Sequence, residues 1–430
     1  MNDFWLQNTE VCSYAKLEED IKTKVLVIGG GIAGMLCAYR LTKLGIDNVL
    51  VEKSKIGSGI TSKTTATITA ITDKPYYKIY EDSGYEKTLG FLKANLKAIQ
   101  EYKLLSKELD FDFEELSGMA YSVKSAAVLS KEYATLQELG YKVIYHKDIE
   151  LDLNVEGALE YPKQGQCNPL KLIYEISKRI QVYEDTCIDI LKRNYAITSN
   201  GKRIDFDYAI VATHYPFKDK KGLYYAKMYQ NISKVFVLDN QDKLKYFYND
   251  IEELGMYVRS YNNYLIYGGN DYRVGMCKSS SSSVERYVLN TYKVTPTYKW
   301  INQDLITLDN MPYVGKISYL YNNIFVSTGF NGYGMTSSMI GSMLICDYIT
   351  HTNNPYFKVF SPQRPYLLKP FFKQVKSSVT HLLKFKGKRC SHLGCKLIYN
   401  DNNKTYECYC HGSRFEKNGK VINSPAKHNI

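Results

Sequence analysis

No stretch of this 430-residue sequence reaches the roughly eighteen uninterrupted apolar residues that a membrane-spanning helix requires. The best run, Val25 to Leu41, is broken by glycines and by Arg40, so a helical span is excluded. The opening residues MNDFWLQNTEVC lack the basic and apolar regions of a secretory signal, which makes the cytoplasm the expected location. A structural disulfide framework is not expected in that compartment. Residues 351–389 contain no acid at all, although they hold nine basic side chains. With 44% apolar and 23% charged residues, the chain has too much to bury for wholesale disorder and enough length for two or three domains.

The formal net charge of +12 sits at one end. Residues 351–430 carry 15 basic and 3 acidic side chains, whereas the preceding 350 residues carry 41 of each. The ten cysteines are equally uneven. Cys12, Cys37, Cys167, Cys187, Cys277 and Cys346 are isolated, but Cys390, Cys395, Cys408 and Cys410 fall within twenty-one residues. Such crowding calls for a chemical reason.

Near the start, the β-branched run Lys24–Ile28 leads into Gly29-Gly30-Gly31-Ile32-Ala33-Gly34, and apolar spacing through Met35, Ala38 and Leu41 then suits a helix. A second strand, Asn48 to Glu52, ends in a carboxylate eighteen residues after Gly34. Strand, glycine turn, helix and terminal acid together form a dinucleotide-binding fingerprint. In it Gly29 makes the turn, Gly31 admits a pyrophosphate, Gly34 permits close packing and Glu52 accepts from a ribose hydroxyl. The helix N-terminus supplies the positive end of a dipole to the phosphates. No second motif of this kind lies between a strand and a helix.

Toward the other end, Cys390-Ser-His392-Leu-Gly-Cys395 and Cys408-Tyr-Cys410-His411-Gly-Ser-Arg-Phe415 are separated so that fifteen residues intervene between His392 and Cys408. Two thiolates and two imidazoles on paired loops suit a Rieske [2Fe-2S] centre, with Cys390 and Cys408 on one iron and His392 and His411 on the other. Neutral imidazoles in place of thiolates raise the potential from about −400 mV to about −150 to +300 mV. A structural zinc on the same four residues is the rival, but it leaves the surrounding glycines and serine without a role. Only twenty-five residues separate Arg364 from Cys390, too few for the strands that usually precede the first ligand loop. The module 390–430 is therefore expected to fold only around its cluster.

The segment from Glu52 through Lys53, Thr61, Ser62 and Thr65 to Ala66 resembles the stretch that flavoproteins of the D-amino acid oxidase and glycine oxidase type run from ribose to isoalloxazine. Asp207–Pro216, Asp309–Gly315, Asn323–Gly329 and Gly332–Thr336 resemble further segments of that FAD-dependent oxidoreductase family, closest to a subgroup with a C-terminal Rieske module. Tyr183–Cys187 resembles the strand that meets the adenine. The resemblance implies an α/β fold: a Rossmann-like FAD-binding domain from residues 1–75, 161–215 and 305–355, and an antiparallel-sheet substrate domain from 76–160 and 216–304. A basic amphipathic linker at 356–389 and a small Rieske-type β module at 390–430 complete it. It further implies Gly29, Gly31, Ile32, Ala33, Gly34, Glu52, Lys53, Thr61, Ser62, Thr65, Ala66, Cys187, Thr213, Gly329, Gly332, Met335 and Thr336 as FAD contacts. Cys395 and Cys410 match a second cysteine pair that forms a disulfide in some Rieske proteins.

Strand-like runs at Gly255–Ser260 and Tyr264–Gly269 fit the substrate sheet. Arg259, Tyr257, Tyr272, Arg273 and His214 are candidate substrate groups, an arginine there being suited to a carboxylate. Ser279–Ser283 reads as a flexible loop. In the linker, Leu368, Phe371, Phe372, Val375, Val379, Leu382 and Leu383 form a helical stripe with lysines off it. That helix is expected to pack on the FAD domain; the other reading is contact with a membrane surface or an acidic partner. Nucleic acid finds no support elsewhere in the chain. The expected function is oxidation of a small amine or amino-acid-like substrate by FAD, with electrons leaving singly through the [2Fe-2S] cluster to an acceptor of acidic character. The alternatives are an NAD(P)H-driven electron-transfer protein and a cluster-based redox sensor without turnover.

Overall fold

The computed structural model describes residues 3–252, 255–276, 283–365, 367–384 and 386–430. Cys277 and Ser279–Ser282 lie outside the described residues, and Ser283 opens the helix Ser283–Tyr292.

The first sheet forms where apolar β-branched runs are long enough to be buried on both faces. Its path runs Tyr313–Ser318, Tyr321–Thr328, Arg203–Val211, Ile21–Ile28, Asn48–Val51, Val182–Tyr183. All neighbours on this path are parallel except the first two. The helix Ile32–Lys43 and the long helix Gly334–Ile349 pack together over it, with Met35, Cys37, Met339 and Ile340 in one core. The strand read at Tyr183–Cys187 is confined to Val182–Tyr183, and Cys187 follows a turn at Asp185, whose φ is 48°.

A second, nine-stranded sheet runs Tyr298–Thr307, Met228–Leu238, Tyr264–Arg273, Tyr257–Tyr261, Phe247–Asp250, Glu114–Ser122, Gly157–Gln166, Thr67–Ile68, with Ile144–His146 added to Gly157–Gln166. It is antiparallel apart from the pairing of Phe247–Asp250 with Glu114–Ser122. Two expected domain boundaries need correction. The one at 160/161 cuts the strand Gly157–Gln166 and the one at 304/305 cuts Tyr298–Thr307. Both strands belong whole to this sheet, because interrupting either would break a continuous ladder.

The third sheet, Ile398–Asn400, Thr405–Glu407, Arg414–Glu416 and Val421–Asn423, carries the cysteine-rich loops. It is preceded by the helix Leu368–Leu382 rather than by strands. Here the expected packing of the apolar stripe fails. Leu368 is 68% exposed and Phe372 64%, with Val375, Val379, Leu382 and Leu383 also exposed. The buried residue of this helix is polar, Gln374, whose Nε2 donates to the Cys410 carbonyl and whose Oε1 accepts from Arg273. Among the described residues, no helix is long and apolar enough to cross a membrane.

Candidate functional site

The dinucleotide fingerprint has the geometry its glycines predict. Gly29 has φ of 114°, and a Cβ there would stand 2.5 Å from the Ala212 carbonyl oxygen. A Cβ on Gly34 would stand 1.9 Å from the Gly29 oxygen, so helix and turn touch without room for a side chain. Gly31 begins the helix with no side-chain cap, leaving its N-terminus able to receive an anion. Glu52 accepts from the Gly30 N–H at 2.8 Å and the Ser54 N–H at 2.9 Å, beside Ile32 and Ala33. Thr61 Oγ1 accepts from the Ile32 N–H at 3.2 Å, Ser62 is buried beside it, and Thr213 adjoins Gly29. Cys187 lies within electrostatic reach of Lys53 and Glu52.

A second group gathers where the first and second sheets meet. The Thr336 hydroxyl donates to the Thr69 carbonyl at 2.9 Å and accepts from its N–H at 3.1 Å. This bond ties the start of the helix Gly334–Ile349 to the segment containing Thr65 and Ala66. Gly329, with φ of 71°, Gly332, with φ of 82°, and Met335 complete this end. The uncapped helix, its close-packed turn and the acid at the next strand's end fit an extended dinucleotide such as FAD.

Beside Thr65 and Gly332 opens a cavity of about 560 Å³, mouth included, lined also by Asp73, Ser233, Tyr248, Asn249, Tyr257, Arg259, Asp271, Asn302, Asp304 and Tyr333. Of the residues read as substrate groups, Tyr257 and Arg259 reach it. Arg259 is committed elsewhere: Nη1 donates to the Ala66 carbonyl at 2.9 Å and Nη2 to the Cys167 carbonyl at 3.0 Å, with Trp5 packed over the guanidinium. It is a strut rather than a clamp for a carboxylate. Tyr272 and Arg273 face the cysteine-rich module: Asn403 donates to the Tyr272 hydroxyl, and Arg273 donates to the Tyr409 and Cys410 carbonyls. His214, at φ of 60°, lies on the loop after Arg203–Val211, and burial lowers its pKa to about 4.

Asp73, Asp271 and Asp304 escaped the sequence reading. Asp73 is exposed, and desolvation together with this nearby carboxylate raises the pKa of Asp304 to about 7. The alternation of strand side chains was the signal that could have found two of them. Along Tyr298–Thr307, Asn302 and Asp304 line the cavity while Gln303 points to the other face, where it bonds the Gly412 carbonyl.

The cysteine-rich loops are built alike. In one, the Gly394 N–H donates to the Cys390 carbonyl and the Cys390 N–H to the Cys395 carbonyl; in the other, the Gly412 N–H donates to the Cys408 carbonyl and the Cys408 N–H to the Ser413 carbonyl. Each turn thus aims a thiol and an imidazole at a shared space. The Sγ atoms of Cys395, Cys408 and Cys410 lie within 4.8 Å of one another, and the Cys390 thiol bonds that of Cys408. The His392 and His411 rings stand 5.0 Å apart at 90°. His392 Nδ1 and both ring nitrogens of His411 are buried with no hydrogen-bond partner. Burial, with His392 nearby, lowers the His411 pKa to about 3, which keeps it in the neutral form that binds metal. Orphaned imidazole nitrogens beside thiols fit a Rieske cluster. Cys395 and Cys410, the pair that matches a disulfide of some Rieske proteins, stand here as separate thiols with their Sγ atoms within 4.8 Å of each other.

This module is seated on the second sheet. Gln230 Nε2 donates to the His411 carbonyl at 2.7 Å and the Ser424 carbonyl at 2.9 Å, and a Cβ on Gly412 would stand 2.5 Å from that of Gln230. His392 Nε2 is 2.8 Å from Asp219 Oδ2. Gln230 and the Gln303 backbone also lie close to His214.

Comparison with known proteins agrees with both halves. The family described as FAD dependent oxidoreductase matches residues 24–348, and the Rieske [2Fe-2S] domain family matches residues 380–430. A putative Rieske 2Fe-2S iron-sulfur protein, YhfW, of Bacillus subtilis is 30% identical over 98% of this chain and 96% of its own. The gamma-glutamylputrescine oxidoreductase of Escherichia coli is 25% identical over 77% of this chain and 85% of its own. The crystal structure of glycine oxidase from Geobacillus kaustophilus superposes with a TM-score of 0.66 at 17% identity, covering 80% of this chain and 99% of that one, which shows a shared fold.

Proposed function

Because the chain belongs to the FAD dependent oxidoreductase family and carries a Rieske [2Fe-2S] domain, we propose that it oxidises a C–H bond beside nitrogen in an amine or amino acid. The electrons then leave singly through the Rieske domain. When bound, FAD supplies the hydride acceptor and the cluster a one-electron carrier. The observation that carries this reading is the seating of the ligand loops on the sheet whose other face lines the cavity. Gln230 bonds the His411 carbonyl and lies near His214, whose loop leaves the strand next to the Gly29 turn. One buried side chain thereby touches the ligand loop on one side and the neighbourhood of the dinucleotide turn on the other, an arrangement that favours electron transfer between the two halves.

The relatives support the substrate half of the reading, since one is named an oxidoreductase of gamma-glutamylputrescine, an amine. An acidic acceptor is favoured by the nine cations and no acids of residues 351–389, next to the ligand loops. The test is anaerobic isolation of the whole chain with flavin, iron and zinc analysis, then visible and EPR titration with amines, amino acids and NAD(P)H. The expected result is flavin bleaching by an amine or amino acid, followed by a Rieske-type signal. Zinc in place of iron would remove the electron-transfer half, and bleaching by NADH alone would replace the amine with a nicotinamide donor.

A further inference from the structure

The cavity beside Thr65 and Gly332 collects acceptors and offers almost no free donors of positive charge. Asp73, Asp271 and Asp304 line it from three separate segments, and among the described lining residues Arg259 is the one cation. Both terminal nitrogens of Arg259 are taken by backbone carbonyls. A substrate carboxylate would therefore meet three acids and, on Arg259, only the single Nε–H, which is buried without a partner.

An independent observation points the same way. Asn302 is 7% exposed and lines the cavity, yet its Oδ1 has no hydrogen-bond partner. Its amide is oriented by Asp304, to which Nδ2 donates at 2.7 Å. That bond fixes the donor end and leaves the acceptor end open. A buried carbonyl oxygen without a donor is costly, and a bound N–H group would satisfy it. The Tyr333 hydroxyl bonds Asp73 and the Asn302 amide bonds Asp304, so these two acids are held in place.

We propose that this cavity binds a cationic amine with no carboxylate beside the reacting carbon, and with a second positive nitrogen seated among Asp73, Asp271, Asp304 and Asn302. The inference rests on the amine-oxidoreductase reading above and narrows it to a diamine or polyamine class. The elevated carboxyl group of Asp304, with Asp73 beside it, agrees with acids sharing one cavity.

The probe is 1,4-diaminobutane, set against glycine, with the flavin difference spectrum of the holoenzyme reporting dissociation constants at pH 7.5. The diamine is expected to bind at least tenfold more tightly than glycine. Asp304→Asn is expected to weaken the diamine at least tenfold and to leave 1,4-butanediol within twofold. Asp73→Asn serves as the second variant should the first fail to retain flavin. Glycine binding as tightly as the diamine, or a diamine constant indifferent to both variants, would overturn the inference. Turnover separates it from the parent reading: glycine oxidised with diamine ignored sinks only this proposal. Diamine binding without reduction of flavin by any amine or amino acid keeps the site and sinks the reading on which it rests.

Discussion

At the scale of single residues, two carboxylates do different work. Asp309 and Arg364 form a buried pair, with Nε to Oδ2 at 2.6 Å and Nη2 to Oδ1 at 2.7 Å, and Arg364 also donates to the Pro312 carbonyl at 2.8 Å. Burial alone would raise the Asp309 pKa, but Arg364 and Lys87 hold it at about 2. The folded pKa lies below the ordinary value of 3.8, so this stabilisation is present above that value and is lost as pH falls toward 2. Arg364→Met leaves the buried anion with only Lys87, at 3.5 Å, as a charged partner and is expected to cost about 3 kcal/mol. An urea titration followed by flavin fluorescence would read it, and a change below about 1 kcal/mol would contradict the account. Asp219 acts instead on a cluster ligand, because its negative charge at His392 Nε2 favours the oxidised, less negative centre. Asp219→Asn should raise the cluster potential by tens of millivolts, about 59 mV being tenfold in a one-electron equilibrium. A redox titration monitored by EPR that found no shift, or a downward one, would refute the role.

At the scale of elements, what could be read from sequence was what depends on local spacing. The strand-turn-helix at Ile21–Lys43 and the loops at Cys390–Cys395 and Cys408–Ser413 are set by backbone turns a few residues long, and their glycines announce them. The cavity was not legible because Asp73, Asp271 and Asp304 meet only through the sheet. Tyr272, beside Asp271, attracted notice but faces the module. The helix Leu368–Leu382 shows the opposite failure, since its apolar period is real but does not mark a buried face. Polar and aromatic side chains make the contact instead: Gln374 bonds the Cys410 carbonyl and Arg273, and His381 stacks on Tyr409. Losing Gln374 removes one of the two donors to the Cys410 carbonyl and one acceptor of Arg273, so Gln374→Ala should cost the module about 1 kcal/mol. Phe372→Ser should change its stability by less than about 0.5 kcal/mol. Amide exchange of residues 390–430 in the two variants distinguishes them, and the reverse ranking would mean that the stripe is packed after all.

At the scale of the whole molecule, the Rieske module depends on others for its stability. Its apolar core consists of Cys390, Cys395, Leu397, Cys408, Cys410, Phe415 and Ala426, four of the seven being cysteines. A segment of some 40 residues with so little hydrocarbon lies near the lower limit for independent folding. Two outside supports make up the difference: the cluster, whose binding is coupled to folding, and the flavoprotein sheet, which supplies Gln230, Gln303 and Arg273 to its loop carbonyls. Removing the cluster should therefore loosen the module without unfolding the body, whose large apolar cores are separate from it. In Cys408→Ser, protection against amide exchange is expected to fall at least a hundredfold across Ile398–Asn423 and to persist at Ile21–Ile28 and Arg203–Val211. Retained protection in the module would show that docking alone suffices. Loss in both regions would show that the cluster supports the whole chain, which the separation of their cores argues against.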